Sequence, residues 1–257
     1  PPSMNRSRLR SQGKRLVVWL VAAGVVALAV ALVYFGTPLR GAEAGIAAVE
    51  ANPDVTVTTE GEAYVLEPAG GSAAAGLVFY PGGRVHPDAY VASLAPLAAD
   101  ANVTVVVPKM PLNLAVLDGD AASRYVTRSD MEVGEVDTWY VGGHSLGGVM
   151  ACRYARGNPG RVDGVVLFAS YCDRDISGTG LAALSVTGSA DTVLNRGAYR
   201  AALANLPADA TTRTLPLNHS QFGGYRGQPG DEPSGLSYAA AHRRLAEVVV
   251  PWLGARP

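Results

Sequence analysis

Short apolar stretches alternate with amphipathic stretches along most of this chain. Beyond about residue 53, eight runs have the length and composition of β-strands: residues 55–59, 63–67, 77–80, 103–108, 138–142, 165–169, 184–187 and 211–215. The first two alternate polar and apolar residues, which is typical of an antiparallel pair at the edge of a sheet. Nearly all of the later runs are apolar, as strands covered on both faces must be.

Helical patterns separate these strands. They cover residues 90–100, part of 114–127, and residues 148–156, 199–206 and 238–252. This alternation predicts an α/β fold in which a mostly parallel sheet of roughly eight strands carries helices on both faces. Only about 14 residues separate the strand that ends at residue 169 from the strand that begins at residue 184. So short a connection predicts no cap domain and an open site.

An uncharged run of 20 residues, LVVWLVAAGVVALAVALVYF, occupies positions 16–35 and follows five basic residues. As a helix it would be about 30 Å long, enough to cross a bilayer. Basic residues before the run and only Arg40 soon after it predict a single-pass plasma-membrane protein with a cytoplasmic N-terminus and its body outside. A signal peptide cleaved near Ala44 is the alternative, and would give a secreted protein. The length of the run favours an uncleaved anchor.

The charge and the cysteines of the chain beyond the apolar run limit which partners and cross-links are expected. The net charge is −1, and without the five N-terminal bases the remaining 16 basic and 22 acidic residues give −6. A mildly acidic body gives no reason to expect a nucleic-acid partner. Cys152 and Cys172 are compatible with a disulfide and with two buried thiols. No His/Cys ligand cluster is visible, and we expect no metal, cofactor or obligate protein partner.

The segment Gly143-His144-Ser145-Leu146-Gly147 fits the pattern G-x-S-x-G between a predicted strand and a predicted helix. So tight a reversal forces Ser145 into a strained backbone conformation, with Gly143 and Gly147 present for clearance. The Leu146 N–H then lies at a helix N-terminus, where it can bind an oxyanion. A phosphate-binding loop is the competing interpretation, but the segment has neither a Walker lysine nor the dinucleotide-binding spacing. Ser145 is therefore the predicted nucleophile.

A serine nucleophile needs a general base. The chain has four histidines, and His219 follows the last predicted strand, where a parallel sheet delivers loops to its active edge. We predict His219 as the base. His144 lies inside the turn that holds Ser145, His242 lies on the last helix with a surface or packing role, and His86 is expected to line the site.

The acid that orients the base should lie between Ser145 and His219, at the carboxyl end of a strand. Asp191, in TGSADTVL, meets this condition, and Asp173 and Asp175 are the alternatives. Their ordinary role would be turn formation and helix capping. We predict Asp191.

A second oxyanion donor is expected in the loop after the strand 77–80. Its sequence is FYPGGRVHPDAY, in which glycines permit close backbone approach. The N–H of Gly83 or that of Arg84 is the predicted donor.

These segments together resemble the α/β-hydrolase superfamily, and within it the bacterial group called alpha/beta hydrolase fold-5. YPGGRVHPDAY, VGGHSLGG, LFASY, TGSADTVL and NHSQFGGY…PGD carry the resemblance, which covers about residues 53–254. The resemblance implies the α/β-hydrolase fold and a triad of Ser145, Asp191 and His219. Dienelactone-hydrolase-like relatives usually have cysteine where Ser145 stands, so serine here argues for ester chemistry.

The sequence therefore predicts an exported, membrane-anchored serine hydrolase that cleaves a small-molecule carboxylic ester through an acyl-enzyme. Acyl transfer to an acceptor other than water and a non-catalytic exported binding module are the alternatives. The predicted organisation is a basic cytoplasmic tail (1–15), an anchor or signal segment (16–35), a connector (36–52) and an α/β-hydrolase domain (53–257).

Overall fold

A computed structural model describes residues 6–59, 61–126 and 136–255. The chain divides into a unit that ends at Thr37 and a unit that begins at Pro38. The first unit contains helix α1 (Arg6–Gly36), which includes the predicted apolar run. Its stretch Gln12–Gly36, in which an 18-residue window has a mean hydropathy of 2.9, is long and apolar enough to cross a membrane. Of the predicted basic tail, residues 1–5 lie outside the described residues, and α1 already begins at Arg6.

The second unit contains one eight-stranded sheet. The strands are β1 (Val55–Thr58), β2 (Ala63–Pro68), β3 (Ala75–Tyr80), β4 (Val103–Pro108), β5 (Thr138–His144), β6 (Gly164–Phe168), β7 (Ala182–Gly188) and β8 (Thr211–Leu215). Their order is β1-β2-β4-β3-β5-β6-β7-β8. β2 is antiparallel to both β1 and β4, and the remaining neighbours are parallel. The predicted α/β fold, its mostly parallel sheet and its antiparallel edge are confirmed.

The described part of the second unit contains five α-helices, of which the first precedes β1: α2 (Glu43–Glu50), α3 (Val91–Ala101), α4 (Leu146–Gly157), α5 (Arg196–Ala202) and α6 (Tyr238–Gly254). The sequence patterns predicted the last four, whereas α2 falls within the predicted connector. The helix predicted in residues 114–127 is wrong. Two 3-10 turns, Ala115–Leu117 and Ala121–Arg124, occupy its described part, and Thr127 lies outside the described residues. The turn-forming sequence Asp118-Gly119-Asp120 separates them, because its residues favour turns over helix.

The inner strands β3 to β7 are buried on both faces, as their apolar residues predicted, whereas the edge strand β8 is exposed at Thr212, Arg213 and Thr214. Along β3, Leu77 and Phe79 belong to the core on the face covered by α3 and α6. Val78 and Tyr80 belong to the core on the other face, which is covered by α4. Successive side chains of a strand point to opposite faces, so a strand between two helical layers must be apolar throughout.

The connection between β6 and β7 carries no cap domain. Its residues 169–181 contain no helix or strand. A disulfide joins Cys172 in this connection to Cys152 in α4, with Cα atoms 5.4 Å apart. That separation lies within the usual range for disulfides, and it decides between the two alternatives that the sequence left open.

Candidate active site

Ser145 occupies the turn between β5 and α4. Its backbone has φ 52° and ψ −123°, a conformation that residues other than glycine rarely adopt and that stores strain. Two hydrogen bonds hold it from the side of β6. The Ser145 N–H donates to the carbonyl of Phe168 at 3.0 Å, and the Ser170 hydroxyl donates to the carbonyl of Ser145 at 2.7 Å. The strained turn predicted from the sequence is present.

The glycines around Ser145 provide clearance between backbone segments. A Cβ atom placed on Gly147 would overlap the carbonyl oxygens of Tyr80 and Pro81, and one placed on Gly143 would lie 2.5 Å from the carbonyl carbon of Gly147. Gly148 is restricted in the same way, because its Cβ would lie 2.6 Å from that of Ser170. Alanine at any of the three positions would force the strand and the helix apart.

Two backbone N–H groups are available beside Ser145. Within the described part of the chain, the N–H groups of Leu146 and Gly83 have no acceptor. The two residues adjoin, since a Cβ on Gly83 would lie 3.4 Å from Cδ2 of Leu146. The prediction of Arg84 as the alternative donor is wrong, because its N–H already donates to the carbonyl of Asn113 at 2.8 Å. This bond leaves Gly83 as the second candidate donor.

Asp191 and His219 form a buried pair at the carboxyl ends of β7 and β8. Nδ1 of His219 lies 2.9 Å from Oδ2 of Asp191, and both residues are almost fully buried. Oδ1 of Asp191 accepts the N–H groups of Val193 at 2.8 Å and Leu194 at 2.9 Å. Burial alone would raise the pKa of Asp191, but the bond and charge of His219 together with these N–H groups bring it below the ordinary value. Asp191 is therefore an ionised partner for His219.

The two alternative acids are engaged elsewhere. Asp173 forms an ion pair with Arg153, with 2.6 Å between carboxylate and guanidinium. Asp175 is exposed and accepts the N–H and the hydroxyl of Ser177, at 2.9 and 2.6 Å. Both have the surface and turn roles that are common for aspartate.

His219 lies against the turn that holds Ser145. Its ring centroid is 4.5 Å from that of His144, the residue before Ser145. Among the described residues, no hydrogen bond joins the Ser145 hydroxyl to His219 or to another group. In enzymes without substrate, such catalytic hydrogen bonds are often long and tighten on binding.

A buried network links His144 to the loop that carries Gly83. Nδ1 of His144 lies 3.0 Å from the Tyr90 hydroxyl, which accepts the N–H of Gly82 at 2.8 Å. Burial first, and then the nearby His219, lower the pKa of His144 well below its usual value. His144 is therefore neutral, and Nδ1 can accept the Tyr90 proton. The role of Tyr90 in this network was not predicted, although the residue ends the segment YPGGRVHPDAY.

The backbone of His219 has its own acceptor. Oδ1 of Asp231 accepts the His219 N–H at 2.9 Å, and Oδ2 accepts the N–H of Ser220 at 2.8 Å. The role of Asp231 as an acceptor for these two N–H groups was not predicted either. Its signal was the aspartate that ends the segment NHSQFGGY…PGD.

The two remaining histidines are structural. Nδ1 of His86 lies 2.9 Å from Asp88, which also pairs with Arg40, also at 2.9 Å. His86 therefore caps the turn Pro87–Tyr90, and its expected role as a residue that lines the site stays a prediction. Nε2 of His242 bonds to the carbonyl of Gly223 at 2.8 Å in a buried position, which agrees with a packing role.

Potential metal ligands and one large cavity were compared with the position of Ser145 among the described residues. Within residues 6–59, 61–126 and 136–255, no group of three or more His, Cys, Asp or Glu side chains could hold a metal ion. A cavity of about 1390 Å³ lies between α2, α3, α6 and the segment 218–237, and Ser145 does not line it.

A strained serine between a parallel strand and a helix, beside an Asp–His pair from later strands, defines the α/β-hydrolase class. Residues 76–243 match the profile of the alpha/beta hydrolase family, which is a family of hydrolases. The chain belongs to this family.

A solved structure has the same fold. The chain is similar to a hormone-sensitive lipase from a metagenome library, with 17% identity, a TM-score of 0.57, and coverage of 83% of this chain and 91% of that one. At this identity the likeness shows the fold alone. No curated protein matches the chain.

Proposed function

We propose that this hydrolase is an exported, membrane-anchored serine esterase. The observation that carries the proposal is the buried contact of 2.9 Å between Asp191 and His219, next to the strained turn at Ser145. Serine is a weak nucleophile on its own, and an oriented imidazole is the usual means of activating it. An Asp–His pair with no other evident task beside such a serine supports catalysis by a triad.

The proposed reaction has two stages. His219 takes the proton of Ser145 while the hydroxyl oxygen attacks the ester carbonyl carbon, and the N–H groups of Leu146 and Gly83 stabilise the oxyanion. The tetrahedral intermediate breaks the bond to the alcohol, which leaves with the proton from His219. Water then attacks the acyl-enzyme with His219 as its base, and the acid leaves as Ser145 recovers its proton. Asp191 keeps the imidazole oriented and stabilises its charged form throughout.

Two observations support export and anchoring. The apolar part of α1 has the length and composition of a membrane span and follows the basic first turns of the same helix, which favours a cytoplasmic N-terminus. The disulfide between Cys152 and Cys172 fits an oxidising compartment, because disulfides are rare in reducing cytosol. Protease added to intact spheroplasts should therefore degrade the hydrolase domain. A soluble domain in the medium, with an N-terminus near residue 45, would instead indicate signal-peptide cleavage.

A fluorophosphonate probe tests the nucleophile directly. The probe should label the full chain, label Ser177→Ala equally, and fail to label Ser145→Ala. We call the turn of residues 143–147 between β5 and α4 the elbow. Ser177 is a matched control because it is an exposed serine outside the elbow. p-Nitrophenyl esters from acetate to palmitate then define the acyl preference, with Ser145→Ala as the inactive control. Equal hydrolysis by this variant would refute the proposal.

The same experiment separates the two alternative functions. An acyltransferase would label and would form new esters when alcohols are added to the reaction. A binding module would leave the probe unreacted although the protein is folded. The proposed esterase should label and release free acid as its main product.

A further inference from the structure

Exposed apolar side chains of the second unit are concentrated in one loop. Among the described residues outside α1, the large hydrophobic side chains that stand exposed are Leu112, Val116, Leu117 and Leu203, at 40%, 49%, 54% and 36%. The first three lie within six residues of one another, in the loop after β4. We call these three residues the apolar rim. Scattered exposed leucines are ordinary, but a cluster of this kind is typical of an interaction surface.

The apolar rim adjoins the proposed oxyanion site. Asn113, between rim residues, accepts the Arg84 N–H at 2.8 Å. Leu114 approaches the donor itself, since a Cβ on Gly83 would lie 3.9 Å from Cδ2 of Leu114. The turn Ala115–Leu117 packs on α4, the helix that begins with the second donor, Leu146. Any surface that covers the apolar rim would therefore lie next to the proposed oxyanion donors.

The chain enters the second unit beside the loop after β3, whose residue Arg84 is also bonded to Asn113 in the loop of the apolar rim. Leu39 pairs with Val85 in a short parallel bridge, and its N–H donates to the carbonyl of Arg84 at 2.7 Å. His86 completes the bridge, with its N–H 2.8 Å from the carbonyl of Leu39. Arg84 is thus bonded on one side to Leu39 and on the other to Asn113. In sequence, Leu39 comes three residues after Gly36, where the apolar helix α1 ends.

We propose that the apolar rim contacts the bilayer spanned by α1, and that the substrate is an ester whose acyl chain resides in that bilayer. This inference rests on the proposed esterase and on its membrane anchor. Three clustered apolar side chains need an apolar partner surface, and α1 ends only three residues before Leu39 in sequence. A bilayer spanned by α1 would therefore be the abundant apolar surface tethered to this unit. An ester that moves from the bilayer into the site would keep its chain out of water.

The charges near the rim indicate an apolar rather than an electrostatic contact. Asp118 is paired with Arg124 at 2.7 Å, and Asp120 is exposed. The chain beyond the N-terminal bases carries an excess of acidic residues, so anionic lipids would be repelled rather than attracted. Zwitterionic phosphatidylcholine is therefore the appropriate test membrane.

A fluorescent label tests the contact independently of catalysis. The full chain has no free cysteine, so Val116→Cys provides one site for an environment-sensitive probe. In phosphatidylcholine vesicles the probe should shift to the blue and be quenched by lipids that carry a nitroxide on the acyl chain. Leu203→Cys is the matched control. Leu203 follows β7 in the chain, whereas the apolar rim follows β4, and these two strands are four positions apart in the sheet, or roughly 19 Å. Its probe should show neither effect, and equal behaviour of the two probes would overturn the inference.

An activity measurement tests the substrate class. The triple variant Leu112→Asn/Val116→Thr/Leu117→Asn should cleave soluble p-nitrophenyl acetate like the original chain, and should lose about tenfold in cleavage of a long-chain ester dispersed in phosphatidylcholine vesicles. Leu203→Asn should lose neither activity. Equal losses on both esters, or no loss on the vesicle ester, would overturn the inference. If the original chain cleaves neither ester, the esterase proposal fails, whereas the lipid contact still stands or falls by the label.

Discussion

Gly147→Ala tests whether backbone clearance positions the proposed nucleophile. The added Cβ would overlap two backbone oxygens, those of Tyr80 and Pro81, and lie 2.7 Å from the carbonyl carbon of Tyr80. A carbonyl cannot rotate away as the end of a long side chain can, because it belongs to the strand β3. Ordinary van der Waals contact would require β3 and α4 to separate by about 1 Å.

This separation should affect both stability and turnover. Overpacking of a close-packed interior costs about 1–3 kcal/mol in the free energy of unfolding. The proposed oxyanion donors lie on opposite sides of the same contact, Gly83 after β3 and Leu146 at the start of α4. A displacement of about 1 Å between them should lower kcat/KM by about 10²-fold, which is the usual cost of such a misplacement.

Gly157→Ala is the matched control on the same helix. A Cβ at this position would meet no atom within 4 Å. Alanine should stabilise the protein by about 0.5–1 kcal/mol through helix propensity and leave turnover unchanged. Urea unfolding followed by circular dichroism and hydrolysis of p-nitrophenyl butyrate measure the two effects. If Gly147→Ala matches the original chain in both assays, clearance at the turn does not position Ser145.

Three further predictions concern titratable groups. Asp191→Asn should lower kcat by about 10³–10⁴-fold, because an amide cannot stabilise the charged imidazole, whereas Asp173→Asn should stay within about twofold because its partner is on the surface. Burial lowers the pKa of His144 and of His242 below 6.5, so the unfolded chain binds protons that the folded chain does not. The free energy of unfolding should therefore be highest above the unfolded-state pKa and fall as pH decreases from about 7 to 5, by at most about 2.7 kcal/mol per pH unit for two protons. Asp231→Asn should lower stability by about 1 kcal/mol and kcat by about tenfold with little change in KM, because the amide is a weaker acceptor for the backbone of the proposed base.

Each of these predictions has an outcome that contradicts it. Similar losses for Asp191→Asn and Asp173→Asn would mean that the acid has been misassigned. Urea midpoints that stay constant from pH 8 to pH 5 would contradict the neutral state of the buried histidines. For Asp231→Asn, a change in KM with unchanged kcat would indicate substrate contact instead of positioning of the base.

The sequence pattern predicted those features that depend on neighbouring residues. The run Leu77 to Tyr80 is apolar because alternate side chains enter different cores, and this constraint is visible without coordinates. The elbow was predictable for a similar reason: Gly143 and Gly147 mark where a strand must turn directly into a helix. His219 and Asp191 were predictable because each follows a strand, and the loops after parallel strands meet at the same edge of the sheet.

Features that depend on distant contacts could not be predicted in the same way. From the sequence, the N–H groups of Gly83 and Arg84 were equally possible oxyanion donors. The carbonyl of Asn113, which follows the next strand, accepts the Arg84 N–H and so excludes Arg84. The helix predicted in part of residues 114–127 is absent from the described residues 114–126 because of a similar distant contact. There the Tyr80 hydroxyl donates to the carbonyl of Gly119 at 2.8 Å and accepts an N–H at 2.9 Å, which fixes a turn in place of a helix.

The proposed site is positioned mainly through backbone groups. Ser145 is held by its own N–H and carbonyl, the N–H of His219 by the carboxylate of Asp231, and the proposed oxyanion donors are themselves N–H groups. Backbone groups on packed strands and helices lose little freedom when substrate binds, so the site needs little reorganisation as charge develops. Substitutions that disturb backbone spacing, such as Gly147→Ala, should therefore damage turnover more than changes of nearby surface side chains. Within the elbow, sensitivity to mutation should follow the clearance around each glycine rather than its distance from the hydroxyl.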